Sequence, residues 1–238
     1  MLLTGSYQYF ELITVKVKFY VIISEETVRV GECIVKTLVL LSELTRSKPI
    51  DNKLKNLFEG RSFKLGYIPS QTDESRKYFH KAQEFFTYVG VNEFVYFDVD
   101  KEFDGSRLEE LTSCDGIYLS GGNTFYFLKN LQERNMLTVL KGFVAEGKIL
   151  LGVSAGAIIM SKTIEMASLL DDNIVNLEDL TSLGIVDFET VPHWNDQLQK
   201  LQDRRRNIVY GLQDGDGIFI QGERIELIGS VYRVNYQE

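Results

Sequence analysis

Residues 148–157 read Lys-Ile-Leu-Leu-Gly-Val-Ser-Ala-Gly-Ala. The unbroken apolar run that opens this stretch leaves no side for water, so it reads as a strand buried on both faces. It passes directly into Gly152-Val153-Ser154-Ala155-Gly156 and then into helix-compatible residues. The two glycines permit a turn so tight that its apex is held in a strained backbone conformation with the side chain pointing out. Ser154 is that apex. Two readings of the pentapeptide stay open on this pattern: a nucleophile elbow, or a close strand-to-helix crossing that needs glycine only for space.

The flanking sequence supplies a setting for such a strand. Residues 36–42 are a basic-then-apolar first strand, 63–68 a strand closed by Pro69, 74–88 a helix, 93–99 a strand and 107–111 a short helix. Residues 116–119 are the next strand, followed by helices over 123–131 and 135–146. After the elbow, 166–179 is acidic and without period. Short strands are expected at 183–186 and 209–212, with a helix over 196–208 between them. The segments 218–220, 224–228 and 230–234 alternate and turn at glycines, as antiparallel hairpins do. Strand and helix in alternation predict an α/β fold: a three-layer α/β/α sandwich with a mostly parallel sheet and C-terminal antiparallel hairpins. Its sites belong beyond the carboxyl ends of the strands, where Ser154 and the loop Gly121-Gly122 both fall.

With 238 residues and 44% hydrophobic content, the chain can bury one α/β core. That domain is expected over 35–238. Residues 1–34 stand apart as an N-terminal extension, strand-like over 12–23 and without a helical partner. Gly31-Glu32 fits a purine-rich ribosome-binding stretch ahead of Val35, which a GTG start codon would encode. The expectation is therefore that the native chain begins at Val35, the alternative being a genuine extra strand or hairpin.

A net charge of −8 argues against a nucleic-acid partner, because Arg204-Arg205-Arg206 is the only basic run. Cys33 and Cys114 form no CxxC or Cys/His cluster, so neither a disulfide framework nor a zinc site is expected, and the compartment reads as reducing. Lys16 and Lys18 interrupt the apolar stretch near residues 12–24, which also lacks a small-residue cleavage signal. No membrane association is expected, and the location reads as cytoplasmic.

A serine hydroxyl is a poor nucleophile without a base, and the chain holds two histidines. His80 lies in a polar helical pattern and reads as a surface residue. His193 follows a strand, between Pro192 and Trp194, on a loop downstream of the elbow. Donors for a developing oxyanion would come from the Gly121-Gly122 backbone and the Ala155 N–H.

Three of these motifs together resemble peptidase E and its relatives. Residues 120–128, Ser-Gly-Gly-Asn-Thr-Phe-Tyr-Phe-Leu, resemble that family's G-G-N-T loop and helix; Gly152 to Ala157 is similar to its G-x-S-A-G-A elbow; Pro192-His193 is similar to its P-H pair. The resemblance covers roughly residues 35–230. It implies a class I glutamine-amidotransferase-like fold and a serine peptidase acting on small peptides, with N-terminal aspartyl dipeptides as the substrate class. Ser154 is implied as nucleophile, His193 as base and then acid, and Gly121, Gly122, Asn123 and Ala155 as the oxyanion and substrate-binding set. No metal or cofactor is implied, and a homodimer is left open. For the acid, two positions match: Asp214 at a strand end, which is favoured because it is more firmly held, and Asp171 in the acidic loop. A cyanophycinase-like hydrolase of aspartate-arginine peptides and a catalytically silent binding relative are the alternatives. An α/β-hydrolase would need several more strand-helix units than the 39 residues from Ser154 to His193 allow. A glutamine amidotransferase would want cysteine at the elbow.

Overall fold

The apolar runs at 36–42, 116–119 and 149–153 meet at the centre of one sheet, where each residue has a strand on either side and a helix layer above or below. In the computed structural model the described residues are 16–23, 26–195 and 208–234, and the chain divides after Val35 into two units. The first contains an antiparallel pair, β1 (Lys16–Ile23) and β2 (Glu26–Ile34), whose register shifts between Val17 and Phe19.

The second unit carries the seven-stranded sheet. Its parallel members are β3 (Thr37–Leu41), β4 (Lys64–Ile68), β5 (Glu93–Tyr96), β6 (Gly116–Leu119) and β7 (Ile149–Val153). Spatial order is β5, β4, β6, β7, β3, followed by the antiparallel hairpin β10 (Gly217–Gln221) and β11 (Arg224–Ile228). Side chains alternate across it. Val39, Leu41, Leu65, Tyr67, Leu151 and Val153 face α1 (Lys48–Phe58) and α2 (Lys77–Tyr88). Leu38, Leu40, Ile117, Leu119 and Leu150 face α3 (Leu108–Thr112), α4 (Thr124–Glu133), α5 (Met136–Ala145) and α6 (Ala155–Ile158). The three-layer α/β/α expectation therefore holds, with mostly parallel strands and antiparallel strands at the C-terminal side.

A smaller sheet lies on the α4–α6 side, sharing that core through Phe188 and Tyr210. In it β9 (Ile208–Gly211) pairs in parallel with β8 (Phe188–Val191) and antiparallel with β12 (Tyr232–Val234). Two expectations are corrected here. Residues 183–186 are not a strand: the N–H groups of Leu183, Ile185 and Val186 bond the carbonyls of Ile159 and Met160 behind α6, so a loop buries Leu183 and Val186 and half-buries Ile185, and the strand comes at β8. Residues 230–234 do not continue the C-terminal hairpin; β12 leaves it for β9. Residues 196–207 of the helix expected at 196–208, and the strand-like residues 12–15, lie outside the described residues, while Ile208 opens β9 rather than closing a helix. Among those described, no helix is long and apolar enough to cross a membrane.

Candidate active site

Register brings the site together. In the main sheet Leu41 pairs with Val153, and Leu119 with Gly152, so the residues that follow β3, β7 and β6 emerge side by side at the carboxyl edge. These are Ser42, Ser154 and the Ser120-Gly121-Gly122 loop. In the smaller sheet Val191 pairs with Gly211, which sends Pro192-His193 and Leu212-Gln213-Asp214 out of adjacent parallel strands in the same way.

Ser154 has φ 52° and ψ −112°, a conformation that costs on the order of 1–3 kcal/mol outside glycine. Both motif glycines are needed for space. A Cβ on Gly152 would overlap the Gly156 carbonyl, and one on Gly156 would overlap the Leu119 carbonyl of β6. The close crossing is therefore real, since α6 can start against β6 only without those side chains, and the same turn puts Ser154 at its apex. Its N–H donates to Leu41 O at 3.0 Å, and its side chain caps nothing at the start of α6.

The Ser154 hydroxyl lies 3.1 Å from His193 Nε2, and His193 Nδ1 lies 2.7 Å from Asp214 Oδ1. A carboxylate can only accept, so Nδ1 carries a proton, and in the neutral ring the Nε2 lone pair then faces the serine hydroxyl. His193 also sits at positive φ, 54°. Its peptide is held from both sides: its N–H donates to Ser42 Oγ at 2.8 Å, and the next N–H, of Trp194, donates to Leu212 O at 2.8 Å. The buried Trp194 indole lies directly over Gly211, where any Cβ would overlap it. Asp214 sits in a tight turn in which Asp216 N–H donates to Gln213 O and Gly215 takes φ 92°. The buried Asp216 carboxylate anchors this turn by accepting from the N–H groups of Gln213 and Ser230.

The other expected residues fall as follows. Asp171 Oδ2 accepts from Thr124 N–H at 2.8 Å and Thr124 Oγ1 at 2.6 Å, at the start of α4. Asn123 caps α4 by accepting from Tyr126 N–H, and its amide donates to Asp172 O, so its side chain ties the loop rather than standing free. Gly121 packs against Ser154: a Cβ there would come 3.4 Å from Ser154 Cβ. Gly122 takes φ 138° with Ser70 so close that only glycine fits. Ala155 opens α6, and as the first helical residue its N–H has no intrahelical acceptor. His80 is exposed on α2. Cys114 is fully buried, its thiol pushed up to about 11 by desolvation, which leaves it inert as a nucleophile. Among the described residues no group of three or more His, Cys, Asp or Glu side chains gathers into a metal site. Sequence reasoning missed Ser42 and Asp216. Neither carries a motif; Ser42 acts through contacts with residues far away in the chain, and Asp216 through backbone N–H groups of its own turn and of Ser230.

The profile of peptidase family S51 matches residues 38–228. The chain belongs to peptidase family S51. Membership makes it a serine peptidase, and relatives of this S51 chain carry matching names. The uncharacterized peptidase Lmo0363 of Listeria monocytogenes is 28% identical over 201 residues, taking in 80% of this chain and 97% of that protein. Peptidase E of Shewanella amazonensis is 30% identical over 135 residues, 51% of this chain and 57% of its own length. A crystal structure described as that of a candidate peptidase E protein from Listeria monocytogenes EGD-e superposes with a TM-score of 0.68 at 26% identity. That superposition covers 84% of this chain and 100% of the other.

Proposed function

We propose that this S51 peptidase hydrolyses small peptides, with N-terminal aspartyl dipeptides as the substrate class, and that residues 35–238 are its catalytic unit. Its layers are of the class I glutamine-amidotransferase type, with serine where an amidotransferase carries cysteine. The observation that carries the reading is the hydrogen-bonded line from Ser154 Oγ through His193 to Asp214 Oδ1, at 3.1 and 2.7 Å. Ser154 Oγ attacks the scissile carbonyl carbon while its proton passes to His193 Nε2. Asp214 holds the imidazole in the tautomer that can accept that proton and stabilises the imidazolium that results. The oxyanion is met by the N–H groups of Gly122 and Ala155, fixed by the loop and by the start of α6. His193 then returns the proton to the leaving amine, and the C–N bond breaks to leave an ester on Ser154. Water adds to that ester, His193 taking its proton and giving it to Ser154 Oγ as the acid product departs.

A panel of Asp-X, Glu-X and Ala-X dipeptides and β-aspartyl-arginine, assayed with wild type and Ser154→Ala, tests the proposal. Turnover of Asp-X by wild type alone is expected. Preference for β-aspartyl-arginine would replace the substrate class with that of a cyanophycinase, and peptide binding without hydrolysis would make this a binding protein.

A further inference from the structure

Ser42 stands immediately after β3 and is fully buried, at 0% exposure. Its hydroxyl is engaged twice, and the direction of each bond is fixed by chemistry. A backbone N–H can only donate, so Oγ accepts from His193 N–H at 2.8 Å. The hydroxyl proton is thereby free for Asp214 Oδ1 at 3.0 Å, the same oxygen that accepts from His193 Nδ1. One buried atom thus touches both the backbone of the general base and the carboxylate that orients its ring.

Neither partner is held by burial. The side chains of His193 and Asp214 are 42% and 54% exposed, and His193 sits at positive φ, where a histidine does not rest by preference. Ser42, by contrast, is rigid. Leu41 before it is paired on both sides, with Val153 of β7 and Gly217 of β10, and the Ser42 N–H donates to Asp216 O at 3.3 Å. The central sheet therefore reaches the loops of the smaller sheet through this hydroxyl.

We propose that Ser42 is a positioning residue of the triad. It sets the His193 peptide and the Asp214 carboxylate at once, so that Nε2 meets the Ser154 hydroxyl. The inference rests on the Ser154-His193-Asp214 reading and adds a fourth side chain that touches no substrate. Removing the hydroxyl loses both bonds, one of them to a charged acceptor, and should lower kcat by about 10- to 100-fold, with KM unchanged, because substrate contacts stay in place.

The test is a double-mutant cycle on the full chain: wild type, Ser42→Ala, Asp214→Ala and the double variant, with Ser42→Gly and Ser154→Ala alongside and folding followed by circular dichroism. If Ser42 acts through Asp214, Ser42→Ala costs kcat in wild type and little further in the Asp214→Ala background. A loss by the same factor in both backgrounds, a rise in KM alone, or undiminished kcat would overturn the inference while leaving the triad intact. So would loss of the folded state in both Ser42 variants, which would give the residue a purely structural role. Activity retained by Ser154→Ala or Asp214→Ala would instead bring down the triad reading, and this inference with it.

Discussion

On the proposed reading Asp214 orients His193, while Asp171 holds the start of α4 through Thr124, and amide replacement separates the two. Asp214→Asn keeps the shape at His193 Nδ1 but offers that nitrogen a donor as readily as an acceptor, so the imidazole settles into the wrong tautomer. The expected result is a loss of up to ~10⁴-fold in kcat with little change in binding, read from steady-state kinetics. Asp171→Asn removes the charge from the acceptor that Thr124 N–H and Oγ1 share at the start of α4. It should cost about 1 kcal/mol of stability, seen as a lower urea midpoint, with a far smaller effect on kcat. If Asp171→Asn were the slower enzyme of the two, the roles given to these carboxylates would be reversed. The ambiguity was built into the sequence, because an aspartate in an acidic loop and one at a strand end look alike until a histidine is placed beside one of them. Ser42 was less legible still: a serine after a strand has no signature, and only the Leu41–Val153 register reveals it.

At the scale of elements, the elbow depends on how closely α6 approaches β6. Gly156→Ala puts a methyl group into the Leu119 carbonyl, and overpacking of that kind costs typically ~1–3 kcal/mol or more. A marked fall in the thermal midpoint is expected, with activity lost in step; an unchanged midpoint would mean that the helix can back away freely. A second check is chemical. Cys114 is buried behind α3 with its thiol pushed up to about 11, so iodoacetamide at pH 8 should leave it unmodified in the native protein and alkylate it in urea, as read by peptide mass mapping. Strands buried on both faces, such as β3, β6 and β7, were readable because their apolar runs are continuous. Helix α1 was passed over even though Ile50, Leu54 and Phe58 recur at four-residue spacing on its buried side; the Lys and Asn residues between them mask the stripe. Residues 183–186 misled in the opposite sense, since local apolarity cannot tell a ladder from a loop that bonds to carbonyls behind α6. The partner of β12 is a non-local choice that no local pattern encodes.

At the scale of the whole molecule, the proposed reading puts activity in the larger unit, where two sheets send strand ends to one edge and one hydroxyl, Ser42, touches residues from both. The family match begins at residue 38 and the chain divides after Val35. A chain lacking residues 1–34 is therefore expected to keep the thermal midpoint and kcat of the full protein, and loss of either would assign the N-terminal unit a part in the fold or the site. Three strand ends of the central sheet and two of the smaller one converge so that one serine hydroxyl faces one imidazole. Hydrolysis of the preferred dipeptide by Ser154→Ala, beside wild type, tests that convergence. Removing the hydroxyl deletes the nucleophile and leaves almost no cavity, so kcat should fall by ~10³-fold or more in a protein whose circular dichroism and thermal midpoint match wild type. Turnover within tenfold of wild type in the purified, folded variant would contradict it.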